Sequence, residues 1–254
     1  MRLYQEQLAL LEDGSFVKSL ASAVARMGNV ASLLINDQMV AKRYHSLHWL
    51  DTTYNPLPPR EPRPDVLPRF LSAPLNWRAI ANEAKAPTDL PTARLLWELP
   101  IALHQADTPL RELQINIIPR HGYFSILSPG AYYPPDRAAA TWAALADACE
   151  HLEAFVFRPG IHYQQTAEDD KTYLDAYLTA VLGRCAPRRL RHLDLDFFQA
   201  CMNYVESPGD ETRRHFYPAA DLVAGLVALP RVKSLRLRGV ELREGELDRV
   251  VCGG

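Results

Sequence analysis

The chain has 254 residues, of which 48% are hydrophobic, and a formal net charge of -2 at pH 7. This apolar content can supply a core, and the near-neutral charge gives no general attraction to nucleic acid or to an anionic membrane. No apolar run approaches the roughly 18 residues of a membrane span, and Glu6, Glu12 and Asp13 interrupt the N-terminal leucines, so neither a transmembrane helix nor a signal peptide is predicted.

One apolar pattern occurs five times along the chain. Two residues separate its first and second apolar positions, and one residue separates the second from the third. The last three residues of each copy alternate, as in a strand with one buried face. A period of about 40 residues, with one unit degenerate or missing in the first gap, is typical of a solenoid. The middle residues are Leu33, Leu113, Phe155, Leu193 and Leu235, which are 80, 42, 38 and 42 residues apart.

Apolar residues three or four positions apart predict a helix before each strand. Ser15 is expected to cap the first helix, and Pro100 is expected to break or restart the second. Thr172 and Asp175 are close to a capping box that would open the fourth helix, and Pro218 is expected to open the fifth. The helical faces are carried by Phe16, Leu20 and Val24, by Leu99 and Leu103, by Trp142, Leu145 and Cys149, by Leu174 and Leu178, and by Leu222, Leu226 and Leu229.

Polar residues occupy the outward positions of the predicted strands, whereas a barrel or a doubly wound sheet would bury both faces and have continuous apolar strands. The fold class predicted is therefore α/β, a leucine-rich-repeat-like solenoid with a parallel sheet on one face and helices on the other. We expect a single irregular domain over residues 1–254, with a proline-rich excursion at 54–74. The C-terminus is expected to be capped irregularly or to continue into a longer array.

Two carboxylates, Asp194 and Asp196, should point out of the sheet together, as a metal site or a glycosidase would require. Aligning the apolar positions of the last two strands places Arg236 beside Asp194. The same register places Arg238 beside Asp196, with the strands about 4.8 Å apart. We therefore expect a cross-strand ionic ladder worth roughly 0–1 kcal/mol per pair. Ligand binding through this face is the alternative, and catalysis is less favoured.

Three long insertions should lie at one rim of the sheet, because all of them leave the carboxyl ends of parallel strands. They span residues 121–136, 159–171 and 198–217. Their aromatic side chains could anchor a partner, but packing onto the body of the protein is favoured. The aromatic residues are Tyr123, Phe124, Tyr132, Tyr133, Tyr163, Phe198, Tyr204, Phe216 and Tyr217.

Two short motifs suggest other chemistry. The Arg-His-Gly sequence at 120–122 resembles the tripeptide of histidine phosphatases, in which the histidine accepts the phosphoryl group and the arginine binds phosphate. His45 and His48, followed by Asp51, could bind a metal, but the spacing specifies no third ligand and a packed segment is favoured.

The four cysteines, Cys149, Cys185, Cys201 and Cys252, lie far apart and form no C-x-x-C pair. Reduced thiols in the cytoplasm or nucleus are therefore expected, and no metal or other cofactor is predicted.

Three segments resemble the degenerate leucine-rich-repeat region of filamentous-fungal F-box-like proteins: Leu229 to Leu237, Phe16 to Ile35 and Leu95 to Ile115. The resemblance extends over most of the chain. Proteins of that kind use the repeats to bind a target, while an N-terminal F-box recruits a ubiquitin ligase. No F-box helices are found, because the first repeat begins near Ser15, and the resemblance therefore implies the recognition module alone.

The function predicted is a non-catalytic protein-protein interaction module with a protein partner, and not with nucleic acid or a membrane. The alternatives are a hydrolase, either histidine-phosphatase-like or carboxylate-dependent, and a truncated gene product without a function. The predicted partner-binding residues are Gln114, Asn116, Asp194, Asp196, Arg236 and Arg238.

Overall fold

A computed structural model of the chain describes residues 9–10, 13–35, 91–116, 124–158, 168–197, 217–218, 229, 231–242, 244–246 and 248. In these ranges the helices are α1 (Ser15–Ala25), α2 (Leu95–Gln105), α3 (Pro135–Ala148) and α4 (Glu168–Leu182), with short 3₁₀ helices at Pro91–Arg94, Phe124–Leu127 and Pro129–Ala131. The strands are β1 (Ser32–Ile35), β2 (Glu112–Ile115), β3 (Ala154–Phe157), β4 (His192–Asp196), β5 (Tyr217–Pro218), β6 (Ser234–Arg238) and β7 (Val240–Glu241).

Five of these strands form one parallel sheet in the order β1-β2-β3-β4-β6, and β5 pairs with β7. The prediction of a mixed α/β fold with five parallel strands is confirmed, and each strand lies where the recurring apolar pattern placed it. The middle apolar residues pair with one another across the sheet, so all five copies of the pattern share one register. They are Leu33, Leu113, Phe155, Leu193 and Leu235.

The same backbone hydrogen bonds recur at the residue that precedes each main-sheet strand. One carbonyl oxygen accepts hydrogen bonds from two consecutive N–H groups of the next unit, at 2.7 to 3.0 Å. These paired hydrogen bonds fix the register of adjacent strands at their first residues. The accepting carbonyls belong to Ala31, Arg111, Glu153 and Arg191, and the donors are Arg111 with Glu112, Glu153 with Ala154, Arg191 with His192, and Lys233 with Ser234.

An aromatic cluster fills the core beneath β3 and β4. Phe157 is fully buried, with its ring centroid 6.1 Å from that of Phe155, 6.2 Å from that of Tyr177 and 5.8 Å from that of Phe197. The ring of Phe197 in turn stacks on Tyr217 at 4.5 Å. The inward residues of the strands thus pack against α4 and β5 as one continuous apolar layer.

Two helices begin differently from the predictions. Gly14, with φ of 73°, precedes α1 as its N-cap, and Asp13 accepts a hydrogen bond from the N–H of Ser15 at 2.7 Å. The prediction that Ser15 is the N-cap is therefore wrong. The capping box at Thr172 is also wrong, because α4 begins at Glu168, four residues earlier.

The prediction that Pro100 breaks its helix is wrong, because α2 continues through it. Proline lacks the N–H that would bond the carbonyl of Leu96, four residues earlier. The hydroxyl of Tyr177, on α4, donates a hydrogen bond to that carbonyl at 3.0 Å. A tertiary contact therefore supplies the donor that the proline removes.

Pro218 lies in β5, and the fifth helix that it was predicted to open would lie mainly outside the described residues. Tyr217 and Pro218 pair with Val240 and Glu241, and the N–H of Tyr217 donates to the carbonyl of Gly239 at 2.8 Å. The proline can occupy this short edge strand because the bond is donated by the residue before it. The proline-rich stretch 54–74 and most of the predicted fifth helix, 219–228, lie outside the described residues.

The insertion aromatics that the structure describes pack onto the body of the protein. Phe124 and Tyr217 are fully buried. Tyr132 lies against an indole of α2 at 5.4 Å between ring centroids, and Tyr133 donates a hydrogen bond to Glu98 of the same helix. These four side chains therefore pack onto the body of the protein and do not form an exposed aromatic rim. Outside the described residues are Tyr123, Tyr163, Phe198, Tyr204 and Phe216.

We expect the two described cysteines to be unreactive in the folded protein. Cys149 and Cys185 are free thiols, and burial raises the pKa of Cys185 to about 12 and that of Cys149 well above its usual range. Both should stay protonated near pH 8 and resist a disulfide reagent until the protein unfolds. Labelling of a Cys201→Ser/Cys252→Ser variant with and without denaturant tests this, and rapid labelling without denaturant would contradict it.

Candidate interaction surface

The outward side chains of the parallel sheet form one exposed surface, which we call the outer sheet face. They alternate with residues that are buried in β2, β3 and β4 and half-buried in the edge strands β1 and β6, and they are themselves exposed or half-buried. Leu34 is among the most exposed large apolar residues of the described chain, at 54%. The face comprises Ser32, Leu34, Glu112, Gln114, Ala154, Val156, His192, Asp194, Asp196, Ser234, Arg236 and Arg238, with Asn116 and Arg158 directly after two strand ends.

The predicted cross-strand ionic ladder is confirmed. Asp194 is opposite Arg236 in the pairing of β4 with β6, and the Asp194 Oδ2 to Arg236 Nη1 distance is 3.7 Å. Asp196 is opposite Arg238, with an Oδ2 to Nη1 distance of 3.0 Å. The carboxylates are mostly shielded, whereas the two arginines are about half-exposed. The ladder therefore presents its cations to solvent.

Arg158 also belongs to the ladder, although the sequence analysis did not select it. It follows β3 directly and donates a hydrogen bond to Oδ2 of Asp194, so that this carboxylate lies between two guanidinium groups. The bond to Asp194 raises the pKa of Arg158. Its position could have been found, because the alternation that turns Phe155 and Phe157 inward turns Arg158 outward.

The other two predicted residues lie on the same face but apart from the ladder. Gln114 pairs in register with Val156, which separates it from Asp194, and it donates a hydrogen bond to Glu112 on its own strand. Asn116 follows β2 and donates its backbone N–H to the carbonyl of Ile35 at 3.0 Å. The structure thus brings four of the six predicted residues together and leaves two nearer the β1 edge.

Two oxygens on this face, one of a carboxylate and one of an amide, are buried without a hydrogen-bond donor among the described residues. They are Oδ1 of Asp194 and Oδ1 of Asn116. An acceptor left unsatisfied in this way costs about 1–3 kcal/mol. Asp194 therefore contacts its two arginines through Oδ2, while no described residue donates to its Oδ1.

We expect the ladder to contribute little to stability. A double-mutant cycle with Asp196→Asn and Arg238→Gln should give a coupling energy of about 0–1 kcal/mol, because the arginine is exposed and screened by water. The coupling should fall further in about 1 M salt. Urea unfolding of the four proteins measures it, and a coupling well above this range that salt does not change would contradict the expectation.

The other sequence motifs that suggested chemistry lie where the structure gives no description. These are the Arg-His-Gly tripeptide at 120–122 and the residues His45, His48 and Asp51. In the ranges that are described, no three or more His, Cys, Asp or Glu side chains are grouped so that they could hold a metal ion.

Comparisons of the chain with protein families, with curated proteins and with solved structures find no match. The resemblance to the repeat region of F-box-like proteins therefore stays a prediction from three segments. None of the helices in the described ranges has both the length and the apolar character needed to cross a membrane.

Proposed function

We propose that this chain is a non-catalytic protein-interaction module that binds another protein through the outer sheet face. The observation that carries the proposal is a solvent-facing row of in-register side chains that crosses five strands and includes paired opposite charges. The row consists of Leu34, Gln114, Val156, Asp194 and Arg236. An exposed face of this width on a rigid sheet can contact a partner over many residues at once.

The scaffold in this proposal is a leucine-rich-repeat-like solenoid. Its main support is the recurring pair of backbone hydrogen bonds before the strands, whose accepting carbonyls at 31, 111, 153 and 191 are 80, 42 and 38 residues apart. The strand order also follows the chain order, as stacking of successive units requires. The proposed role is target recognition, as in the repeat region of F-box-like proteins, without a claim to ligase recruitment.

The proposed partner surface is mixed in character. Leu34 and Val156 offer apolar contact toward β1, whereas the arginines of the ladder lie toward β6. Arginines are common hot spots of protein-protein interfaces, because each combines an apolar stem with several hydrogen-bond donors. A partner that fits would place an apolar side chain beside Leu34 and acceptors opposite the arginines.

The test uses a charge swap that preserves net charge and pairing. Asp196→Arg with Arg238→Glu exchanges the ends of one rung of the ladder. The matched control, Asp147→Arg with Arg184→Glu, exchanges an exposed ion pair on the helical side. A protein retained by the wild-type chain from a filamentous-fungal lysate is identified, purified and titrated against the three proteins.

The ladder swap should weaken binding about tenfold or more, because it places like charges against the partner. The control swap should leave the affinity unchanged. Equal affinities for all three proteins would contradict the proposal. So would phosphate-ester hydrolysis by the purified chain that is lost in His121→Ala, since that result would favour the hydrolase.

A further inference from the structure

A second polar feature lies at the edge of the sheet where β3, β4 and β6 begin. It is a cleft of about 550 Å³. None of its lining residues belongs to the outer sheet face, so an inference about it does not depend on the proposed function. Four arginines and one glutamate make its formal charge strongly positive. The cleft is lined by Glu153, Pro187, Arg188, Arg189, Arg191 and Arg231.

The positive charge of this cleft is only partly balanced. Glu153 lies 3.7 Å from Arg191, and it is also 3.7 Å from Arg111 outside the cleft, so two arginines share one carboxylate. Within the described part of the chain no carboxylate forms an ion pair with the other three arginines of the lining. Like charges held close together destabilise one another, and an anion bound between them would remove this repulsion.

Backbone hydrogen bonds fix the turn that contains Arg188 and Arg189, and they also fix Arg191 just after it. The carbonyl of Cys185 accepts hydrogen bonds from the N–H groups of Arg188, Arg189 and Leu190, at 3.1, 2.8 and 3.1 Å. Cys185 and Leu190 are themselves buried. The N–H of Arg191 is bonded to a carbonyl on the neighbouring strand at 2.7 Å. The turn is therefore preorganised, and binding would order only the arginine side chains.

These features select the anion. Guanidinium groups bind phosphate oxygens through paired hydrogen bonds, and several arginines around one cleft match a compact dianion. A long polyanion fits less well, since the chain as a whole carries a net charge of -2 and the arginines without an ion pair among the described residues of the lining are grouped at one edge of the sheet. We propose that the cleft binds a phosphate monoester.

The experiment compares two double variants that remove the same charge. Arg189→Gln/Arg231→Gln alters the cleft without breaking an ion pair of the described residues, and Lys18→Gln/Arg26→Gln alters two exposed cations, one on α1 and one at its C-cap. Isothermal titration at constant ionic strength uses inorganic phosphate, O-phosphoserine, one serine peptide in phosphorylated and unphosphorylated forms, and a single-stranded oligonucleotide. Unfolding curves establish that the variants are equally folded.

We expect the wild-type chain and the α1 variant to bind O-phosphoserine equally, and the cleft variant to bind it about tenfold more weakly or not at all. Tighter binding of the phosphopeptide than of O-phosphoserine would identify a phosphorylated protein segment as the source, and equal binding a small phosphate ester. Undetectable binding of every phosphate probe by the wild-type chain, or equal weakening in both variants, would overturn the proposal. Tighter binding of a single-stranded oligonucleotide than of any monoester would also overturn it.

Discussion

Replacing Phe157 with alanine is expected to lower the free energy of unfolding by about 3–5 kcal/mol. The side chain is fully buried, and its ring lies against those of Phe155, Tyr177 and Phe197. Removing the ring leaves an apolar cavity in the core. The loss of stability therefore includes both the transfer free energy of the ring and the cost of that cavity. Urea unfolding followed by far-UV circular dichroism measures the change.

The matched control is Phe16→Ala, at a phenylalanine of α1 that is 39% exposed. It should cost less, because more than a third of the side chain is already exposed to water and loses no burial on truncation. If Phe157→Ala does not fold, Phe157→Leu retains an apolar side chain and gives a smaller, measurable loss. Equal losses for the two alanine variants would mean that the aromatic cluster does not form the core.

Replacing Tyr177 with phenylalanine is expected to cost about 1–3 kcal/mol, although it removes a single oxygen. The hydroxyl is the donor to the carbonyl of Leu96, which Pro100 leaves without its helical partner. Without the hydroxyl that carbonyl would be buried and unsatisfied. The buried ring would keep its apolar contacts, so the measured loss in urea unfolding reports on the hydrogen bond.

A double-mutant cycle with Pro100→Ala tests this explanation directly. Alanine at position 100 restores an N–H that can donate to Leu96, so Tyr177→Phe should then cost clearly less than it does beside the proline. If the tyrosine substitution has the same cost in both backgrounds, the hydroxyl does not replace the missing helical donor. Pro100→Ala alone also measures what the proline itself costs or contributes.

Much of the sheet could be predicted because its determinants are local. Side chains on a strand alternate with a period of two, so an apolar residue at 193 and another at 195 place Asp194 and Asp196 on the opposite side. One alignment of apolar positions then sufficed to pair both aspartates with arginines. Whether the units also form a regular solenoid depends on how they curve and stack, and the apolar spacing alone does not specify this.

One of the wrong predictions concerns a contact between distant residues. Proline preferences indicated that Pro100 would end its helix, but Tyr177, which is 81 residues from Leu96, supplies a donor. Phe124 is buried in a 3₁₀ helix, in agreement with the favoured prediction that the insertion aromatics pack onto the body. Arg158 was not among the predicted residues: alternation along β3 places it on the outward side, but its contact with Asp194 on β4 is a tertiary one.

The amino-acid sequence by itself determined which residues form the five strands, which side of the sheet each side chain faces, and which charges meet across β4 and β6. These properties follow from alternation and register, which act over a few residues. Only the tertiary structure decided which group satisfies the carbonyl of Leu96 and which arginines surround the cleft near Glu153. Both depend on residues far apart in the chain, and the apolar pattern specifies neither how those residues approach nor where their side chains end.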